Sequence, residues 1–112
     1  MKRVLVVDDD RGSVEALCRL LVMDGFAARG SSSGEEAVQL LGVERFDAVV
    51  TDLEMPRVSG LRVLAAARSA PVLLVTAFVG SEACERAVAA GARRVFGKPL
   101  AYEELAEELA AL

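Results

Sequence analysis

Three carboxylates, Asp8, Asp9 and Asp52, one hydroxyl, Thr76, and one ammonium, Lys98, each stand just past a short apolar run of this 112-residue chain. Carboxylates brought together repel one another unless a cation lies between them. Hard oxygen ligands of this kind favour Mg²⁺, which is held by one or two carboxylates, retained waters and phosphate oxygens. A hydroxyl donor and an ammonium nearby supply what a transferring phosphoryl group needs. Lys98 stands out further, because of 13 basic residues only Lys2 and Lys98 are lysine. A compact ammonium on a flexible stem reaches into a crowded anionic pocket where a planar guanidinium fork does not fit. Pro99 follows it, and an X-Pro bond in the cis form fixes a sharp turn that aims the preceding side chain. Asp10, the third of three adjacent aspartates, must face away and is expected to cap the first helix.

These groups share a pocket only if the elements before them end at one edge. The runs Val4 to Val7, Ala48 to Val50, Val72 to Val75 and Val95 to Phe96 read as buried parallel strands. In an open α/β sheet the ligand site lies outside the carboxyl ends of the strands. Between the runs lie helical patterns. The first spans about Gly12 to Asp24, with Val14, Leu17, Cys18 and Leu21 on one face and Gly25 as its stop. A strand near Phe26 to Arg29 follows. Ser33 and Glu36 have capping-box spacing and open a helix through Leu41 that Gly42 ends. Gly60 to Arg68 forms a third helix, Ser81 caps a fourth ending at Gly91, and Tyr102, Leu105, Leu109 and Leu112 mark a fifth. Strand and helix alternate five times, which predicts an α/β fold, a doubly wound parallel sheet with helices on both faces. The Asp8 and Asp52 loops are the natural switch point.

Composition excludes several classes. The length suits a single domain over residues 1–112. With 54% hydrophobic and 27% charged residues the chain is globular, and no apolar run approaches the roughly 20 residues that span a bilayer. Met1-Lys2-Arg3 leads into an apolar run too short for a signal peptide, so a cytoplasmic site is expected. The absence of histidine removes Ser-His-Asp and Cys-His nucleophile schemes and most zinc sites. Cys18 and Cys84 read as reduced core thiols. A net charge of −4 argues against direct binding to a nucleic-acid backbone.

At this point the chain resembles the receiver domain of two-component response regulators over nearly its whole length. Val6-Val7-Asp8-Asp9 is similar to that family's acidic pair, and Asp52-Leu53-Glu54-Met55-Pro56 with Gly60 to its phosphoacceptor loop. Val75-Thr76-Ala77 is similar to its switch hydroxyl segment, and Gly91-Ala92 with Lys98-Pro99 to its ending. The resemblance implies a flavodoxin-like (βα)5 domain with strand order 2-1-3-4-5. It implies that Asp52 is the phosphoacceptor, taking a phosphoryl group from a sensor histidine kinase or phosphotransfer domain, and that the chain catalyses only its own phosphorylation and dephosphorylation. Asp8, Asp9, Asp52 and the main-chain carbonyl of Glu54 would bind Mg²⁺, Lys98 would neutralise phosphoryl oxygens, and Thr76 with the Ala77 N–H would bond another. Glu54 and Phe78 would flank the pocket and influence how fast water removes the phosphoryl group.

The chain also departs from the family. Val95 stands where an aromatic switch residue is common, which predicts a muted readout, and the segment Gly60 to Pro71 implies a short third helix. Arg93 and Arg94 before the last strand, and Glu103, Glu104, Glu107 and Glu108 on the last helix, suggest a homodimer through that strand and helix. Two other readings stay open. One is a haloacid-dehalogenase-type phosphatase with Asp8 as nucleophile. The other is a receiver-like interaction module that does not signal by phosphorylation.

Overall fold

The computed structural model describes residues 1–112. β-branched side chains fit a pleated surface covered on both faces, and each valine-rich run forms a strand. The strands are β1 (Arg3–Val7), β2 (Ala27–Ser31), β3 (Ala48–Asp52), β4 (Val72–Thr76) and β5 (Arg94–Gly97). Between and after them run the helices α1 (Arg11–Met23), α2 (Gly34–Val43), α3 (Gly60–Ala66), α4 (Glu82–Ala89) and α5 (Tyr102–Ala111). All strand pairs are parallel, in the order β2-β1-β3-β4-β5. This is the expected doubly wound α/β fold. The chain moves outward from β1 to β2, then returns past β1 to β3, so the loops after β1 and β3 diverge into a crevice.

Alternation along the strands builds two cores. Leu5, Val49, Val72 and Leu74 pack with Ala37, Leu40, Val63, Cys84 and Ala87 from α2, α3 and α4. Val4, Val6, Val50, Leu73, Val75 and Phe96 pack with Val14, Leu21, Leu105 and Leu109 from α1 and α5. Val95 and Phe96 thus belong to opposite faces, as their adjacency requires. Cys84 is buried and Cys18 half-buried, both as free thiols.

Helix starts follow the serines. Ser33 accepts from the Glu36 N–H (3.1 Å) and Ser81 from the Cys84 N–H (3.1 Å). The reciprocal half of the first capping box is redirected, since the Glu36 carboxylate accepts from the Ser31 hydroxyl (2.8 Å). Several boundaries differ from expectation. Helix α2 continues through Gly42 to Val43, because the Glu44 N–H still bonds to the Leu40 carbonyl (2.8 Å). Helix α3 stops at Ala66 and is the shortest of the five. Strand β2 begins at Ala27, leaving Phe26 buried just ahead of it. Gly25 and Gly91, with φ of 90° and 107°, lie just past α1 and α4, where left-handed backbone suits glycine.

Candidate functional site

Parallel pairing extends β3 by two residues and β4 by one beyond their apolar runs. Asp52 pairs with Val75 and Thr76 with Gly97, so both polar residues are the last of their strands and not the first of their loops. Both are consequently buried, at 4% and 0% exposure. Asp8 and Lys98 lie one residue past β1 and β5. The four stand along one sheet edge with Asp9.

The carboxylates converge as their order in the sheet dictates. One oxygen each of Asp8, Asp9 and Asp52 lies within 4.8 Å of the others. Lys98 Nζ donates to Asp52 Oδ2 at 3.0 Å and stands 3.9 Å from Asp8 Oδ2. Asp52 Oδ1 is buried and has no hydrogen-bond partner. A buried carboxylate oxygen without a donor is costly, which fits a site built to receive a cation or a reacting group. The oxygen-only donor set suits a hard divalent ion such as Mg²⁺.

Electrostatics agree with the geometry. Burial pushes the Asp52 carboxyl above its usual range, against the hydrogen bond and attraction from Lys98, with Asp8 and Glu54 adding repulsion. Burial also raises Asp8, which Lys98 and the Asp10 N–H partly offset. For Lys98 burial works downward, yet its bond to Asp52 and the charges of Asp8 and Asp9 outweigh it and leave the ammonium raised.

Local backbone holds these groups in place. Asp8 Oδ1 accepts from the Asp10 N–H (2.9 Å), which turns the chain into α1. Asp10 occupies the N-cap position of that helix, but its carboxylate binds the Ser13 hydroxyl (2.7 Å) and caps no backbone N–H. Behind Asp52, a Cβ on Gly60 would lie 2.5 Å from the Asp52 carbonyl oxygen and 2.8 Å from Leu53 Cα. Glycine here allows the start of α3 to press against the end of β3. The Lys98–Pro99 peptide bond is cis.

Thr76 carries the least anticipated contact. Its hydroxyl accepts from the Phe78 N–H (3.0 Å) and is directed at the Glu54 carboxylate, 2.7 and 2.9 Å from the two oxygens. The two residues are 22 positions apart, so no local spacing signals the pair. Ala77 and Phe78, next along the chain, are exposed. Val95 is half-buried against the α2–α4 core, while Arg94 pairs within the chain with Glu108 (2.9 Å) and lies over the Phe96 ring. A groove of about 370 Å³ runs from Asp52 and Lys98 between α1 and Leu100 to Tyr102, whose hydroxyl donates to Asp24 (2.6 Å).

A family model described as the response regulator receiver domain matches residues 4–110. The response regulator MprA of Mycolicibacterium vanbaalenii is 40% identical, over 98% of this chain and 49% of that protein. The chain spans about half the length of the curated relatives it matches. Among solved structures, Thermotoga maritima response regulator TrrA, in complex with Mg²⁺ and BeF, superposes with a TM-score of 0.87 at 32% identity, covering 99% of this chain and 98% of that one. A Burkholderia pseudomallei response regulator with a phosphorylated aspartic acid and a calcium ion gives 0.85 at 30% identity, covering 99% and 72%.

Proposed function

Because the chain belongs to the response regulator receiver domain family, whose members serve two-component signalling, we propose that Asp52 is its phosphoacceptor. The observation that carries this is the convergence on Asp52: a buried carboxylate with one unpartnered oxygen, Lys98 at 3.0 Å, and Asp8 and Asp9 gathered alongside. The phosphatase reading makes Asp8 the nucleophile, but Lys98 favours Asp52, and family membership favours neither that phosphatase nor a module without phosphorylation. The acidic cluster and the solved relative with Mg²⁺ and BeF support Mg²⁺ as cofactor.

Asp8, Asp9, Asp52 and the Glu54 main-chain carbonyl would hold that ion, which when bound neutralises charge on the phosphoryl oxygens. The chain's own groups do the rest. An Asp52 oxygen forms the new O–P bond as the bond from phosphorus to the donor's histidine nitrogen, or to the acyl oxygen of a small donor, breaks and the leaving group departs with its electron pair. Lys98 shifts from its bond with Asp52 toward the incoming oxygens. Thr76 and the Ala77 N–H donate to another, and the inward hydroxyl biases a pre-existing equilibrium of the fold. The partner is a sensor histidine kinase or phosphotransfer domain. No helix is long and apolar enough to cross a membrane, and a cytoplasmic site suits such a partner.

Acetyl phosphate with Mg²⁺ should label the protein stoichiometrically, and borohydride reduction followed by peptide mapping should find the label on Asp52. Asp52→Ala should abolish labelling. A label on Asp8, or none in the wild-type protein, overturns the assignment. The homodimer through β5 and α5 belongs to the same reading: Arg94 already meets Glu108 within the chain, while Arg93, Glu104 and Glu107 stay exposed for a second copy. Light scattering should show dimers with beryllofluoride, and a strict monomer with and without it rules them out.

A further inference from the structure

We infer that the Glu54 carboxylate is an internal competitor for the Thr76 hydroxyl, occupying in the unphosphorylated chain the acceptor role that a phosphoryl oxygen takes. The inference rests on Asp52 as phosphoacceptor and adds a positioning residue to that site. Thr76 is fully buried, so its hydroxyl must find its partners within the protein. It accepts from the Phe78 N–H and directs its one proton at Glu54, 2.7 Å from Oε2 and 2.9 Å from Oε1. A hydroxyl has a single proton, so donation to Glu54 and donation to a phosphoryl oxygen exclude one another. The bond to be exchanged is charge-assisted, roughly twice as strong as a neutral one. Glu54 therefore sets the threshold that the phosphoryl group must exceed before Thr76 responds. Exchange is helped by repulsion between the incoming phosphoryl charge and the Glu54 carboxylate, an exposed residue that can swing into water. With Val95 unable to follow the hydroxyl as a large side chain would, this exchange is the step at which the chain registers phosphorylation.

The test separates charge from hydrogen bonding. Beryllofluoride affinity in Mg²⁺ is measured by calorimetry for the wild-type chain, Glu54→Gln and Glu54→Met, and for the last two in a Thr76→Val background. Both single variants should bind more tightly than wild type, since each removes a negative charge. Met should exceed Gln by about threefold to tenfold, because the Gln amide oxygen still accepts from Thr76. With Thr76→Val the two should bind equally. In ligand-free protein the Thr76 methyl NMR signal should move in Glu54→Met toward its beryllofluoride-bound position. Equal affinities of Gln and Met with Thr76 present, or a difference that persists in the Thr76→Val background, where no hydroxyl remains, overturns the inference. Failure of the acceptor assignment looks different: beryllofluoride binding would then be missing in wild type or indifferent to Asp52→Ala.

Discussion

Tyr102 is the single tyrosine of a chain without tryptophan, so its ionisation can be followed by absorbance with no competing signal. Burial and the hydrogen bond to the Asp24 carboxylate raise its pKa from 10.0 to about 12. An alkaline titration should therefore show a midpoint near 12, and Asp24→Asn should bring it down toward 10. Between those two values the folded chain keeps a phenol proton that the unfolded chain has lost, so this contribution to stability falls as pH rises through that window. A wild-type midpoint near 10 would mean that the tie between α1 and α5 is not populated in solution. The residue types gathered at the sheet edge were legible in the sequence, since each carboxylate, hydroxyl and ammonium stands at or just past the end of an apolar run. The partner of Thr76 was not, because two side chains separated along the chain meet only through the fold.

At the scale of elements, the site depends on how closely α3 approaches β3. Gly60→Ala would place a methyl group 2.5 Å from the Asp52 carbonyl oxygen and 2.8 Å from Leu53 Cα, neither of which is a flexible side-chain end. The variant should lose about 1–3 kcal/mol in urea denaturation, as overpacked positions do. Wild-type stability in this variant would show that α3 can move aside freely. Helix starts were easier to read than helix ends. Ser33 and Ser81 cap through their own side chains, a local interaction over three residues. Helix α2 instead runs past Gly42, because the Glu44 N–H closes one more helical turn onto the Leu40 carbonyl (2.8 Å) and an exposed helical glycine costs only modestly. The C-terminal turn of α5 is likewise settled from afar: Lys2 Nζ donates to the carbonyls of Leu109 and Ala110 at 2.9 and 2.8 Å. A cation there complements the helix dipole and ties the start of β1 to the last helix. Both lysines of the chain thus meet oxygen acceptors, one in the carboxylate cluster and one at a helix end.

For the whole molecule, the acidic cluster stores instability that ligand binding can relieve. Asp8 and Asp52 both have pKa values raised above 3.8, with burial the leading cause. Between the unfolded and folded values the folded chain holds protons that the unfolded chain has released, so their contribution to stability falls as pH rises and stays lost above the folded values. In the absence of Mg²⁺, Asp52→Asn should accordingly melt at a higher temperature than wild type at neutral pH, with the gap closing as pH drops below about 4. With Mg²⁺ held as proposed, millimolar Mg²⁺ should raise the wild-type midpoint and raise that of Asp52→Asn far less. Thermal melts across pH check both parts. Equal responses to Mg²⁺, or a less stable asparagine variant at neutral pH, would show that the cluster is not the frustrated feature of the fold.

The sequence by itself determined the (βα)5 alternation and the set of groups at the strand ends, because strand and helix periods and local caps are short-range properties of the chain. It also put Val95 and Phe96 on opposite faces, since neighbouring strand residues always diverge. The tertiary structure decided the rest. Parallel pairing extended β3 and β4 to take in Asp52 and Thr76, and this buried them and raised Asp52's pKa. The meeting of loops distant in sequence set Lys98 against Asp52 and Glu54 against Thr76. Which charge neutralises which, and where a single hydroxyl proton points, depends on distances of a few ångströms across the sheet edge, and no spacing along the chain encodes them.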